Sequence, residues 1–254
     1  MAFPPWFDSK FGPHTIELYQ DEVRQTEFQV NALKLLLGPP PARSSTVLDL
    51  CCGWGRHAVQ LCRSGYRVVG LDGSMFFLER IGCPSGGGKG RLDLVRGDMR
   101  SLPFEGGAVS AVVQMYTSFG YGDNPDDDAL VLGEVNRVLR AGGVYLLDLI
   151  NWELARGAFD GRFEESYPGF DMVDDCRIMP GDLLKVKRAL LYKDGRKPHI
   201  YSFEIRMFDH ESLTALLRNA GLEVTETWGD FNRSDYRAES SYRMIMVCRK
   251  KGDS

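Results

Sequence analysis

Short apolar runs alternate with helical repeats through the first 150 residues of this 254-residue chain. Apolar runs that end at glycine or polar turns are typical of buried parallel strands, whereas three- and four-residue spacing is typical of helices. The predicted strands are 46–51, 66–71, 92–96, 108–114 and 143–149. The predicted helices are 15–37, 56–64, 74–81 and 126–139. Such an alternation predicts an α/β fold, a mostly parallel sheet with helices on both faces.

After residue 150 the pattern changes to the two-residue alternation of antiparallel strands. Strands are predicted at 171–179, 183–192 and 198–208, and then a helix at 210–220 and strands at 222–228 and 242–249. The last two strands should complete the sheet as an antiparallel hairpin. We therefore expect three parts: a cover helix with the ligand-binding half of the sheet (1–150), an antiparallel insertion that acts as a lid (151–208), and a C-terminal helix and hairpin (209–254).

Composition and charge exclude several classes of protein. The hydrophobic share is 43%, the net charge is −4, and no basic stripe of the kind that binds nucleic acid is present. Because no apolar run reaches the length of a membrane span and the N-terminus lacks the features of a signal peptide, we expect a cytoplasmic location. The six cysteines lack the spacing of zinc sites or disulfide frameworks, and Asp123 and Asp126–Asp128 lack calcium-loop spacing. No metal is expected, and these aspartates are interpreted as helix-capping residues.

The segment Val47–His57 joins a buried strand through a tight glycine turn to a helix. Such a unit brings backbone N–H groups and a helix N-terminus up to a ligand. Asp49 lies inside the strand, where a carboxylate needs a cation or several hydrogen-bond donors. The arrangement predicts a site for a cationic cofactor.

This segment resembles motif I of the class I S-adenosylmethionine-dependent methyltransferases, usually Val-Leu-Asp-Leu-Gly-Cys-Gly-x-Gly, with Cys51 in place of the first glycine. The resemblance implies a Rossmann-like, seven-stranded sheet and S-adenosylmethionine as cofactor, with Asp49 holding its methionine end directly or through water. Segments such as 116–121 and 228–231 resemble the branch of that family that methylates small molecules. The implied activity is methyl transfer to an oxygen, nitrogen or carbon atom of a small molecule.

A nicotinamide or flavin dinucleotide is the main alternative cofactor, because Gly53-x-Gly55-x-x-Ala58 and Asp72 also fit the dinucleotide fingerprint. Asp72 ends the second strand and could accept hydrogen bonds from ribose hydroxyls of either cofactor. Asp98 ends the third strand, and in methyltransferases that acid accepts from the adenine amino group. Together with a Leu-Arg-Ala-Gly-Gly turn before the fifth strand, these acids favour the methyltransferase interpretation. A non-catalytic cofactor-binding module is a second alternative.

The family's cofactor-binding positions can be assigned to this chain one by one. The resemblance implies that Tyr19 and Arg24 close over the methionine end, and that Gln114 and Met115 lie near the reactive end. The predicted cofactor-binding residues are Tyr19, Arg24, Asp49, Cys51, Cys52, Gly53, Gly55, Asp72, Gly73, Ser74, Asp98, Met99, Gln114, Met115 and Tyr116.

The sequence indicates the catalytic residues less clearly than the cofactor site. Methyl transfer from a sulfonium is an in-line displacement, so alignment matters most and at most one general base is needed. His57, Tyr116, His199 and Tyr201 are the candidates for that base. His57 is expected to be neutral, because a helix N-terminus disfavours its protonated form.

Overall fold

A seven-stranded sheet forms the centre of the computed structural model, which describes residues 12–19, 21–40, 45–82, 90–122 and 124–252. Its strands are β1 (Thr46–Leu50), β2 (Arg67–Asp72), β3 (Arg91–Arg96), β4 (Val109–Gln114), β5 (Leu139–Ile150), β10 (Leu222–Trp228) and β11 (Arg243–Lys250). They lie in the order β10-β11-β5-β4-β1-β2-β3. The first five pair in parallel, and β11 is antiparallel to both of its neighbours. The predicted sheet, with its antiparallel C-terminal hairpin, is confirmed.

Helices cover both faces of this sheet, and two large clusters of buried apolar side chains fill the space between them and the strands. The helices are α1 (Pro13–Leu18), α2 (Thr26–Leu37), α3 (Arg56–Arg63), α4 (Met75–Leu78), α5 (Pro125–Val138), α6 (Trp152–Ala155) and α7 (His210–Asn219). Because β1 and β4 are central and parallel, their carboxyl ends open at one edge of the sheet, where ligands of such folds bind.

The single helix predicted over 15–37 is wrong in one respect, because it is divided into α1 and α2 by a 3₁₀ segment at Asp21–Gln25. The two helices pack on different layers of the molecule. Leu18 of α1 packs with Phe170 and Leu190 outside the main sheet, whereas Leu33 of α2 belongs to the core of that sheet. A single straight helix could not serve both layers.

Four antiparallel strands after β5 form a second sheet: β6 (Gly161–Ser166), β7 (Phe170–Met179), β8 (Leu183–Tyr192) and β9 (His199–Arg206). Strands β7 to β9 confirm the predicted insertion, whereas β6 was not predicted. Most of the residues of β6 are exposed and polar, so its sequence lacks the apolar alternation that identifies a half-buried strand.

Backbone contacts fix the second sheet to the loop after β4. The N–H of Arg206, at the end of β9, donates to the carbonyl of Gly120 over 2.8 Å, and its guanidinium forms an ion pair with the buried carboxylate of Asp128. Asp128 lies in the first turn of α5, and the side chain of Asn124 caps that helix. Asn124 is the capping residue, and Asp126, Asp127 and Asp128, which were predicted to cap, lie in the first turn of α5; Asp123 lies outside the described residues.

Within the described ranges, no helix is both long enough and apolar enough to cross a membrane.

Candidate active site

A cavity with about 970 Å³ of empty space opens at the carboxyl ends of β1, β2 and β4. This volume includes space open to solvent, and its position at the strand ends is where ligands bind in open α/β sheets. Ten of the predicted cofactor-binding residues line it: Tyr19, Asp49, Cys51, Cys52, Gly53, Asp72, Gly73, Met99, Met115 and Tyr116. The strand–turn–helix unit found in the sequence therefore forms one wall of the cavity, as expected.

Asp49 is almost completely buried at the end of β1, and its Oδ2 atom has no hydrogen-bond partner. Burial raises the pKa of this carboxyl to about 7, while the nearby positive charge of Arg56 and a backbone hydrogen bond from Ala58 act in the opposite direction. Because a buried carboxylate oxygen without a partner is costly, this atom is suited to receive a cationic group from a ligand in the cavity.

Arg56 and His57 lie at the start of α3 and both line the cavity. Arg56 donates from Nη1 to Gln29 over 2.7 Å, and its guanidinium lies 5.1 Å from the ring centre of Tyr116. His57 Nε2 lies 2.9 Å from the same oxygen of Gln29. Burial, helped by the charge of Arg56, lowers the pKa of His57 well below its usual value, so the imidazole is neutral. The main cause is burial and not the helix dipole on which the expectation rested.

The carboxylate of Asp72, at the end of β2, holds the glycine turn that follows β1. It accepts backbone hydrogen bonds from Gly53 and Ser74, each over 2.8 Å. Burial raises its pKa, although these backbone donors counteract the effect. Gly53 has a φ of +55°, and a Cβ atom added there would meet no atom within 4 Å, so the turn presents open space to a ligand.

Three residues of the cavity wall hold strained backbone conformations. Cys51, Tyr116 and Thr117 have φ values of 61°, 61° and 56°, in the left-handed region that favours glycine. At position 51 this explains why the family motif has glycine there. A β-branched threonine with positive φ is especially rare, and strain of this kind concentrates at functional sites.

A buried ion pair holds the strained loop in place. Asp148 of β5 accepts from the N–H of Tyr116 over 2.8 Å and from Nε of Arg243 over 2.7 Å. Its backbone carbonyl accepts from the N–H of Thr117, whose hydroxyl in turn accepts from Arg243. Asp148 and Arg243 thus fix where the ring of Tyr116 enters the cavity.

Five predicted cofactor-binding residues do not line the cavity: Arg24, Gly55, Ser74, Asp98 and Gln114. Gly55 caps α3 and packs toward Ile81, which a Cβ atom at this position would meet at 2.9 Å. Ser74 is fully buried and precedes α4. Gln114 is fully buried too, where it accepts from the hydroxyl of Tyr145.

The predicted adenine contact of Asp98 is not supported by its position. Its carboxylate is bound by the side chain of Arg100 and by the backbone N–H of the same residue. Burial acts to raise the pKa of Asp98, but the hydrogen bonds and charge of Arg100 lower it overall. Arg24 is exposed on the 3₁₀ segment, and Arg56 is the arginine that reaches the cavity.

Sequence reasoning missed several residues of the wall: Thr15, Trp54, Arg56, Phe77, Thr117 and Ser118. The sequence could have indicated one of them. Arg56 puts a cation in the first turn of a helix, where the dipole disfavours positive charge, and this could have indicated a ligand-related role. The hydroxyl of Ser118 is a second buried oxygen without a partner, and only its environment in the fold could reveal that.

A smaller cavity of about 310 Å³ adjoins the first and shares Thr15, Tyr19 and Tyr121 with it. Its other walls come from Leu18 of α1 and from the second sheet, which contributes Arg188, Tyr201 and Phe203. Two of the candidate bases lie in this region. Tyr201 lines the small cavity, whereas His199 packs against the rings of His14 and Tyr201 and lines neither cavity.

Comparisons with known proteins agree with this geometry. A family model described as a methyltransferase domain matches residues 47–143. A glycine/sarcosine N-methyltransferase from Halorhodospira halochloris is 26% identical, over 82% of this chain and 76% of its own length. A cypemycin N-terminal methyltransferase from a Streptomyces species is 27% identical, over 83% of this chain and 85% of its own length.

The fold is likewise shared with a solved S-adenosylmethionine-dependent methyltransferase from Clostridium acetobutylicum, at a TM-score of 0.78 and 18% identity, over 94% of this chain and 98% of that chain. The chain is a class I S-adenosylmethionine-dependent methyltransferase. The methyltransferase therefore has S-adenosylmethionine, and not a nicotinamide dinucleotide, as its cofactor. In the part of the chain that the structure describes, no group of three or more potential metal ligands occurs in the methyltransferase.

Proposed function

We propose that this methyltransferase transfers a methyl group from S-adenosylmethionine to the amine nitrogen of a small molecule. The observation that carries the proposal is the buried, unpartnered oxygen of Asp49, a residue of the cavity wall at the carboxyl ends of β1, β2 and β4. The two curated relatives support the choice of an amine, since both are named for methylation of nitrogen or of an N-terminus.

In this proposal the ammonium and carboxylate groups of the cofactor's methionine end find partners at one end of the large cavity. Asp49 receives the ammonium group, and Arg56 receives the carboxylate, the role that the sequence had suggested for Arg24. Asp72 already accepts two backbone hydrogen bonds, and its remaining lone pairs are available to the ribose hydroxyls. The apolar side chains of Met99 and Phe77 line the part of the cavity that suits the adenine ring.

The acceptor enters from the side of the small cavity, between α1 and the second sheet. Tyr19 and Tyr116, whose rings meet edge-on at a centroid distance of 5.2 Å, line the large cavity on that side, together with Tyr121. When bound, S-adenosylmethionine would supply an electrophilic methyl group to the acceptor nitrogen, and S-adenosylhomocysteine and one proton would be released. The insertion at 151–208 acts as a lid that holds the acceptor in line and excludes water.

Nitrogen suits this environment better than oxygen does. A neutral amine has its nucleophilic lone pair available, whereas a hydroxyl group needs a base to remove its proton. The imidazole of His57 has a strongly lowered pKa and is bound to Gln29, so it is a poor base. Burial raises the pKa of Tyr121 and raises that of Tyr201 to about 12, so both phenols stay protonated.

Calorimetric titration tests the cofactor site. We expect S-adenosylmethionine and S-adenosylhomocysteine to bind and NAD not to bind. Asp72→Ala should weaken binding of S-adenosylhomocysteine by about 2 kcal/mol, because two charge-assisted hydrogen bonds are lost. Asp194→Ala is the matched control, since this exposed aspartate of the β8–β9 turn forms an ion pair with Arg196 and lines neither cavity. Equal affinities of the two variants for S-adenosylhomocysteine would show that Asp72 does not bind the cofactor.

The acceptor atom is tested by mass spectrometry of products from a panel of amines, alcohols and thiols. Transfer to nitrogen, with one S-adenosylhomocysteine formed per methyl group, is the expected result. Transfer only to alcohols or thiols would refute the choice of nitrogen.

A further inference from the structure

One row of polar side chains crosses the otherwise apolar inner face of the second sheet. Along β8, Leu184, Val186 and Leu190 are buried and alternate with outward-facing residues, which places Arg188 on the same inner face. Asp174 of β7 and Tyr201 of β9 are the direct neighbours of Arg188 across the strands. The three side chains therefore form one transverse row.

Arg188 and Asp174 form a bidentate ion pair, with Nε–Oδ1 and Nη2–Oδ2 distances of 2.8 and 2.6 Å. Their side chains are only 14% and 9% exposed. A buried pair of this kind contributes little to stability, because desolvation of both charges offsets their attraction and apolar residues of similar volume would serve as well. Its presence inside an apolar face points to a role in binding.

The pair leaves hydrogen-bond donors directed at the small cavity. A guanidinium carries five N–H groups, and Asp174 accepts two of them. Tyr201 is also hydrogen-bonded by Arg188, and Tyr19 lies near enough to interact with it electrostatically. Since Asp174 fixes the plane of the guanidinium before any ligand binds, the remaining donors are held ready for an anionic oxygen pair.

The small cavity is connected to the place where methyl transfer is proposed to occur. Both cavities share Thr15, Tyr19 and Tyr121, so a molecule anchored at Arg188 can extend past the tyrosines toward the cofactor.

We propose that Arg188, oriented by Asp174, binds a carboxylate of the acceptor, so that the substrate is an amine that also carries a carboxylate group. This inference rests on the proposed function and specifies which amines the site accepts. Asp174 balances the charge of Arg188 in the free protein, and the acceptor's carboxylate takes the donors that Asp174 leaves. An amine without an acid group would give those donors no anionic partner.

The test compares matched acceptors on the full-length protein. The common amino acids and sarcosine, their primary amides and their decarboxylated amines are each incubated with S-adenosylmethionine, and formation of S-adenosylhomocysteine is measured. For the best amino acid we expect kcat/KM to exceed that of its amide by about 100-fold or more, because the amide leaves charged donors unmatched. Arg188→Gln should bring this ratio close to one, and Arg188→Lys should restore part of it.

Two controls separate binding of the carboxylate from a purely structural effect. Lys187→Gln changes the exposed neighbour on the outer face and should leave the ratio unchanged. Affinity for S-adenosylhomocysteine should be the same in all variants if the cofactor site is intact. A loss of activity in Arg188→Gln that is equal for acid and amide would show a structural role and overturn the inference.

The remaining outcomes distinguish this inference from the proposed function. Transfer to amides or simple amines at least as fast as to the acids would overturn the carboxylate site and leave N-methylation standing. No transfer to any compound of the panel would overturn both.

Discussion

Asp49 gives the sharpest prediction. Its carboxyl group is buried, its Oδ2 atom has no hydrogen-bond partner, and its pKa is raised to about 7. In the proposed complex this group must be ionised to hold the cofactor's ammonium. As the pH falls through 7, an increasing share of the free protein carries the proton, which must leave before the ligand binds. Affinity should therefore fall on the acid side.

The magnitude follows from the pKa. For one group with a pKa of about 7, the dissociation constant should rise about 25-fold between pH 7.5 and pH 5.5, which corresponds to about 1.9 kcal/mol. Asp49→Asn cannot titrate, so its weaker binding should vary much less over this range. Calorimetric titration with S-adenosylhomocysteine at both pH values measures the effect without turnover.

The same substitution should stabilise the cofactor-free protein at pH 8. The folded pKa of Asp49 lies above its ordinary value of 3.8, so folding takes up a proton between about pH 4 and pH 7, and the free energy of unfolding falls as the pH rises through this window. Above pH 7 the buried charge costs up to about 4 kcal/mol, which asparagine would remove. Urea unfolding at pH 8 measures the gain. An affinity that is constant from pH 5.5 to 7.5, or an asparagine variant with the wild-type pH slope, would refute the reasoning.

Two further predictions concern the loops around the cavity. Gly120→Ala should destabilise the protein by more than about 2 kcal/mol, because φ is +94° and the added Cβ would lie 2.2 Å from the carbonyl oxygen of Arg206. The matched control is Gly133→Ala, at an open position of α5, which should instead stabilise the protein by up to about 1 kcal/mol. Urea unfolding compares the two variants. Equal unfolding midpoints would show that the close approach of Gly120 to Arg206 of β9 does not constrain position 120. Asp148→Asn should cost about 3 kcal/mol, because it leaves the charge of Arg243 buried without its carboxylate, and it should also lower kcat by releasing the strained loop. A loss below 1 kcal/mol with unchanged kcat would show that the pair does not hold the loop.

Local patterns determined most of the fold. The succession of strands and helices along the chain, the glycine turn after β1 and the antiparallel insertion follow from apolar periodicity and turn residues, which act over a few neighbouring positions. Asp49, Asp72 and Gly53 could be assigned to the cavity wall because strand ends of a parallel sheet meet at one edge. The exposed edge strand β6 escaped prediction because its residues bury little and so carry no periodic signal.

Tertiary packing decided which polar groups are available to ligands. Asp98 and Arg24 have the residue types that the cofactor site needs, but neither lines the cavity. The carboxylate of Asp98 is hydrogen-bonded by Arg100, and Arg24 lies exposed on a 3₁₀ segment. Arg188 and Tyr121 are far from motif I along the chain and reach the cavities only through the docking of the second sheet and the loop after β4. The sequence by itself predicted the cofactor, through its resemblance to motif I, and the α/β sheet that binds it, because both depend on short-range patterns. The shape and charge of the acceptor side were decided by contacts between distant segments, which no local pattern encodes.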